Sequence, residues 1–337
     1  LGNQNYVSGT DSHNTAIGML SGSEIVTGLY NTLLGSQSGD ALTTGGANVA
    51  VGYNALSEED THNYNVAVGT DSLATLDAGA NGSNTAVGHR TGYTMTTGVY
   101  NTVIGAYAGD ALTDADDNVA VGKDALSSDT MGSGSVAVGL NALYTQNFST
   151  ATTSYNTAVG KNAGLSVTTG IRNTLIGALA GDGITTGVRN STLGYFSGGS
   201  FSVGSYNVAI GDNALATDTK GSTAVAVGYG ALSTQNFTNA TNNYNVGVGY
   251  NAGSAITGGT SNTFVGGLAG DATDDGNNNT AVGYLALSAN CGDSNTAIGL
   301  EALKICTGSN NTALGKNCGN EATSGSNNTL IGHDAGK

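Results

Sequence analysis

Asn84–Gly88 reads NTAVG and Asn118–Gly122 reads NVAVG. The same pentapeptide, with small variations, returns nineteen times and closes on glycines running from Gly18 to Gly332. Most steps between these glycines match that from Gly35 to Gly52, seventeen positions; one is nineteen, two are twenty-one and two are sixteen. So short a period, with no linker, means one structural unit stacked on copies of itself. Residues 1–337 therefore read as a single solenoid domain, expected to be a segment of a longer fibre.

Counting from the glycine as zero, position −4 is Asn in seventeen of the nineteen turns, with Ser135 and Ala224 as the exceptions. Position −1 is always Val, Ile or Leu, +3 is always small, and +4 is always Leu or Gly. Alternation along a short strand puts −3 and −1 on one face and −2 and zero on the other. Asparagines one turn apart would stand about 4.8 Å from each other, close enough for their amides to form a ladder. The expected fold is all-β: a parallel β-solenoid or β-roll of about 19 coils with a 17-residue period, roughly 90 Å long at that rise. The Ala/Gly face at −2 and zero is read as the surface of close approach between protomers. The alternative is that these small residues fit a narrow solenoid interior.

Composition narrows the function. Gly is 55 of 337 residues without a Gly-X-Y period, which excludes collagen, and Pro and Trp are absent. The net charge of −15 disfavours nucleic acid and anionic membrane as partners. No run of 18 apolar residues offers a membrane span.

With Asn84–Gly88 and Asn118–Gly122 as its clearest copies, the repeat resembles the head repeat of trimeric autotransporter adhesins, the YadA-head type, and related phage tail fibres. The family's usual period is shorter than the one found here. The resemblance implies a left-handed parallel β-roll, three chains about one axis, and an adhesive role outside the cell. The expected localisation is the cell surface or a virion tail. The expected partners are the chain itself, as a homotrimer or an end-to-end polymer, and a surface glycan or matrix.

Candidate chemistry is sparse, and a non-catalytic role is expected. The recurring acids Asp40, Asp110, Asp182 and Asp271 are four or five turns apart, so they cannot share one site, and they read as turn caps. A carbohydrate-active β-helix enzyme is the remote alternative, and an ice-binding solenoid is disfavoured by the lack of a Thr-x-Thr array. No resident cofactor is expected. Asp114, Asp116 and Asp117, with Asp274 and Asp275, are weak calcium candidates, solvated turns being the plainer reading. His13, His62, His89 and His333 show no metal spacing and read as surface residues. Cys291 and Cys306 fall at nearly the same place on successive coils, so a disulfide is expected, with buried free thiols as the alternative; Cys318 reads as a buried thiol. The two longest turns should project Asn147 and Phe148, and Asn236 and Phe237, toward a ligand. Sequons at Asn81, Asn147, Asn236 and Asn239 offer acceptor sites for glycans.

Overall fold

The computed structural model describes residues 11–79 and 81–336 and contains two compact units, Leu1–Thr169 and Gly170–Lys337. Every element among the described residues is a short strand. The first unit stacks nine three-residue strands from Thr15–Ile17 to Thr157–Val159, and the second stacks ten from Thr174–Ile176 to Thr329–Ile331. Within each unit the strands are parallel and in register, so Thr32, Leu33 and Leu34 face Val49, Ala50 and Val51. The ladder continues beyond the strand: Thr32 N donates to Asn48 O at 2.9 Å and Gly52 N to Leu34 O at 2.8 Å. Each unit is thus a parallel β-solenoid with one pentapeptide per turn.

The strand faces are the reverse of the expectation. Position −2 points into the coil: Leu33, Ala50, Ala67 and Val103 are fully buried. Positions −3 and −1 point outward, leaving Ile17, Leu34, Ile176 and Leu193 exposed. The Ala/Gly face is therefore the coil's own interior and not a contact between protomers. The cause is volume. A coil this short must also house the +3, +4 and +7 side chains, and little space remains for −2.

That constraint explains the Leu/Gly choice at +4. All eight leucines there, for example Leu56, Leu73 and Leu126, share their turn with Ala at −2 (Ala50, Ala67 and Ala120). Where −2 is larger, as at Leu33, Val103, Leu175, Thr192 and Phe264, position +4 is Gly. A Cβ built on Gly39 would lie 2.9 Å from Leu33 Cδ2 and 2.8 Å from Leu42 Cδ1. One volume is filled from either end, and close packing forbids filling it twice.

The closing glycine is fixed by two independent requirements. Gly52 has φ +141°, and a Cβ there would stand 2.4 Å from Gly69 O of the next turn. The −4 asparagines form the expected ladder and do more besides. Asn48 N donates to Asn31 Oδ1 at 3.0 Å, while Asn31 Nδ2 donates to Gly45 O, fourteen residues on, at 2.8 Å. These amides are buried, so each satisfied donor and acceptor avoids a desolvation cost of about 1–3 kcal/mol.

Candidate functional site

The outward side of each turn carries aromatic rows. Position −5 is Tyr at Tyr30, Tyr64, Tyr100, Tyr155, Tyr206 and Tyr244, and +1 is Tyr at Tyr53, Tyr195, Tyr229, Tyr250 and Tyr284, all exposed. The −5 corner has positive φ, +61° at Tyr30 and +67° at Tyr64. This left-handed step lets Asn at −4 turn inward while the preceding ring stays in solvent. Tyr229 and Tyr250 stack with centroids 5.6 Å apart. In the first unit an open cleft of about 250 Å³ lies between Tyr30 and Tyr64, with Ala47 in the turn between them and Thr27, Thr44 and Asn63 at its edge.

The lengthened turns do not present their phenylalanines. Phe148 and Phe237 are buried, with 6% and 7% of their surface exposed. Each is drawn inward by an acid at +7 of the preceding turn, a position that elsewhere holds core residues such as Leu42, Met95 and Phe201. Asp129 Oδ1 accepts Gly132 N at 3.0 Å and Phe148 N at 3.1 Å, and its Oδ2 accepts Gln146 Nε2 at 2.6 Å. The second copy repeats this: Asp218 accepts Gly221 N, Phe237 N and Gln235 Nε2 at 2.9, 3.3 and 2.6 Å. Burial raises the Asp218 carboxyl above the ordinary range, while the Gln235, Gly221 and Phe237 hydrogen bonds oppose that shift. Extra two-residue strands, Thr152–Thr153 on Gly132–Ser133 and Thr241–Asn242 on Gly221–Ser222, pin the inserted segments further.

Glu59 is the third member of this set, at +7 in the turn before the nineteen-position step. It is fully buried and accepts His62 N at 3.1 Å. Its carboxyl is raised by burial, against the pull of His62 and of the Ala78 backbone in the lengthened turn. Every lengthened turn is thus held by a buried carboxylate in the turn before it. Reading the sequence alone passes over the acids at +7, although they are the only charged residues in a mostly apolar column.

Of the other residues singled out in the sequence, Asn147 and Asn236 are exposed. Their Oδ1 atoms accept Thr130 Oγ1 and Thr219 Oγ1, both at 3.0 Å. Asn81 and Asn239 are exposed too, and Asn81 Oδ1 accepts Asn63 Nδ2 at 2.6 Å. Asp114 Oδ1 accepts Thr97 Oγ1 at 2.7 Å and Asp116 Oδ1 accepts Val99 N at 2.8 Å, while Asp274 and Asp275 both accept Thr257 Oγ1. Each of these four acids therefore binds the preceding turn, and neither group converges as a set of ligands. Burial raises the carboxyls of Asp40, Asp110 and Asp182, and Asp40 Oδ1 and Asp182 Oδ1 are buried without a hydrogen-bond partner, which is not the bonding expected of turn caps.

The cysteines are free buried thiols, so the expected Cys291–Cys306 bridge is not formed. The sixteen-position steps shift the stacking. Cys291 Sγ pairs with Thr273 Oγ1 at 3.2 Å, and Cys306 Sγ accepts Asn311 Nδ2 at 3.3 Å. Among the histidines, His13 stacks on Tyr30 and His89 meets Tyr107 edge-on, but His62 is no ordinary surface residue. Its Nδ1 lies 2.6 Å from Glu59 Oε1 and its side chain is 15% exposed. Chemically, the outward face offers aromatic rings, hydroxyls and amides on a rigid spacing, suited to recognition of polar ligands that carry apolar faces. In comparison with known proteins, the chain matches no protein-family model and no curated protein.

Proposed function

We propose that this chain is a segment of an extracellular structural and adhesive fibre. Copies of it pack through the outward strand face, and the tyrosine rows meet a surface glycan. One observation carries the reading. Positions −3 and −1 both face outward on the same three-residue strand, yet −3 accepts Thr, Val or Ser while −1 is Val, Ile or Leu in every turn. Strand propensity does not separate Thr from Val or Ile so sharply. An aliphatic requirement at an exposed position supports an apolar cover from another chain. The resemblance to adhesin heads and phage tail fibres agrees with three copies about one axis. Tyrosine rings beside Thr and Asn suit the faces and hydroxyls of a sugar.

The test exploits Thr as a strand former. Val282→Thr, Ile298→Thr and Leu314→Thr together should leave the coil folded by circular dichroism, while light scattering shows the assembly falling to a monomer. A wild-type chain that is monomeric at high micromolar concentration would sink the packing claim. So would an unchanged mass in the triple variant. For adhesion, Tyr30→Ala with Tyr64→Ala should lower retention on a glycan panel at least tenfold, and undiminished retention would refute the role of that cleft.

A further inference from the structure

We propose that Glu59, Asp60, His62 and Asp77 form a binding site for one divalent transition-metal ion of the zinc or manganese kind, bridging two successive turns of the first unit. One ligand atom from each of the four lies within 4.8 Å of all the others. No metal is required to explain the two sister positions. Asp129 and Asp218 are surrounded by donors alone: a glutamine amide and two backbone N–H groups each. Below Glu59, the place of that glutamine is taken by Leu76. His62 fills the gap, with Nδ1 2.6 Å from Glu59 Oε1 and 3.7 Å from Asp77 Oδ1.

The second departure is in the +8 column. Thr is its commonest residue, as at Thr43, Thr96, Thr113 and Thr130, and the Thr43, Thr96, Thr113 and Thr130 hydroxyls bond to the next turn. Here the column places Asp60 and Asp77 on successive turns, like charges stacked where each destabilises the other. Among the described residues no Lys or Arg nitrogen comes within 4.0 Å of these carboxylates, and His62 is their one basic partner. Even a protonated imidazole balances one of three negative charges. With His62 neutral as a ligand, a divalent cation would offset two of the three negative charges and turn the repulsion into ligation.

The donor set selects the metal. One imidazole nitrogen with carboxylate oxygens matches zinc and other first-row ions, whereas calcium takes six to eight oxygens. Ligands about 2.0–2.2 Å from an ion stand at most about 4.4 Å apart, so side-chain adjustment suffices to close the group. With Nδ1 turned to the ion, His62 Nε2–H is left to donate to Thr61 Oγ1, 3.3 Å away. His62 O is held by Asn48 Nδ2 at 2.9 Å, so the asparagine ladder positions the backbone that carries the ligand. Glu59 forms the buried back wall, and Asp77, 61% exposed, leaves a way in.

Isothermal titration of the chelator-treated full chain with zinc, manganese and calcium chlorides tests the site. One equivalent of zinc should bind in the micromolar range or tighter, with manganese weaker and calcium weakest. His62→Gln and Asp77→Asn, both at partly exposed positions, should each lower zinc affinity at least tenfold, and Asp114→Asn should not. Zinc should also move the His62 imidazole nitrogen resonances. No zinc uptake, calcium bound as tightly as zinc, or unchanged affinity in both variants would each overturn the proposal.

Discussion

Exchanging the two ends of one core volume tests the packing rule directly. In the turn of Gly35 the space is filled by Leu33 at −2 over Gly39 at +4 and Leu42 at +7; in the turn of Gly69 it is filled by Ala67, Leu73 and Leu76. Leu33→Ala alone empties a fully buried site and should cost about 2–5 kcal/mol. Gly39→Leu alone adds strain at φ +54°, about 1–2 kcal/mol, and drives a Cβ to 2.9 Å from Leu33 Cδ2, worth about 1–3 kcal/mol of overpacking. Together the changes recreate the Ala67/Leu73 arrangement. The cavity and the collision then cancel, and only the left-handed strain of about 1–2 kcal/mol remains. The expected coupling, cavity plus collision, is about 3–8 kcal/mol, at or above the upper end for residues in contact. A repeat array need not unfold in one step, so the readout is native-state hydrogen exchange of the Thr32 and Gly52 amides, which flank the site in the ladder. Each single change should speed their exchange by tenfold for every ~1.4 kcal/mol lost, and the double change should restore most of the protection. A double variant whose loss equals the sum of the singles to within about 0.5 kcal/mol would refute the shared volume.

Three further outcomes follow from the lengthened turns and the thiols. Asn243 Nδ2 is buried without a partner, and Ala224 stands where the first copy has Ser135, whose Oγ meets Ser154 Oγ and Gln146 Nε2. Ala224→Ser should supply that acceptor and add about 1 kcal/mol, read as roughly fivefold slower exchange at Asn245 N. Asp218→Asn turns an amide toward donors at Gln235, Gly221 and Phe237; it should cost about 2–3 kcal/mol and expose Thr238–Ala240 to protease, and an uncut loop would contradict the anchoring role. Burial pushes the Cys291 thiol from 9.0 up to about 11, so the folded state holds its proton more tightly than the unfolded chain. Its stabilising effect is complete below pH 9 and is lost as pH rises toward 11, so thermal stability should fall across that window and fall less in Cys291→Ala.

The turn, its register, the asparagine ladder and the closing glycine were legible because each recurs at a fixed offset. The inward face was not. Alternation divides a three-residue strand into two sets without saying which is inside, and taking the small Ala/Gly set as a contact between protomers points the wrong way. The signal that decides it was present in the sequence: Leu33, Val103, Leu175 and Phe264 each come with Gly at +4, and only a shared interior couples those positions. Phe148 and Phe237 misled for a similar reason. A loop tip suggests display, but Asp129 and Asp218 sit one turn earlier in a mostly apolar column, where a carboxylate signals that something is held.

The two exceptions at −4 belong to the same logic. An asparagine there needs an acceptor for its Nδ2, and in regular turns that is a carbonyl fourteen residues on, as Asn84 finds Gly98 O at 2.9 Å and Asn190 finds Gly204 O at 2.9 Å. In the sixteen-position steps the distance shrinks to thirteen, from Asn279 to Gly292 and from Asn295 to Gly308, and the bond survives. Inserting residues displaces that carbonyl. At the two twenty-one-position steps the asparagine is gone, replaced by Ser135 and Ala224, and the N–H groups of Asn156 and Asn245 turn to Ser154 Oγ and Asn243 Oδ1 within the insertion. At the nineteen-position step the asparagine stays as Asn65, with Nδ2 directed 3.5 Å to Glu59 Oε2. Each lengthened turn is thus preceded by a buried acid, whereas the shortened ones keep their backbone partners. Of the three such acids, Glu59 alone is joined by a histidine and two more carboxylates. Beside Glu59 the +8 column therefore brings Asp60 and Asp77 together with His62, while Asp129 and Asp218 only hold a loop.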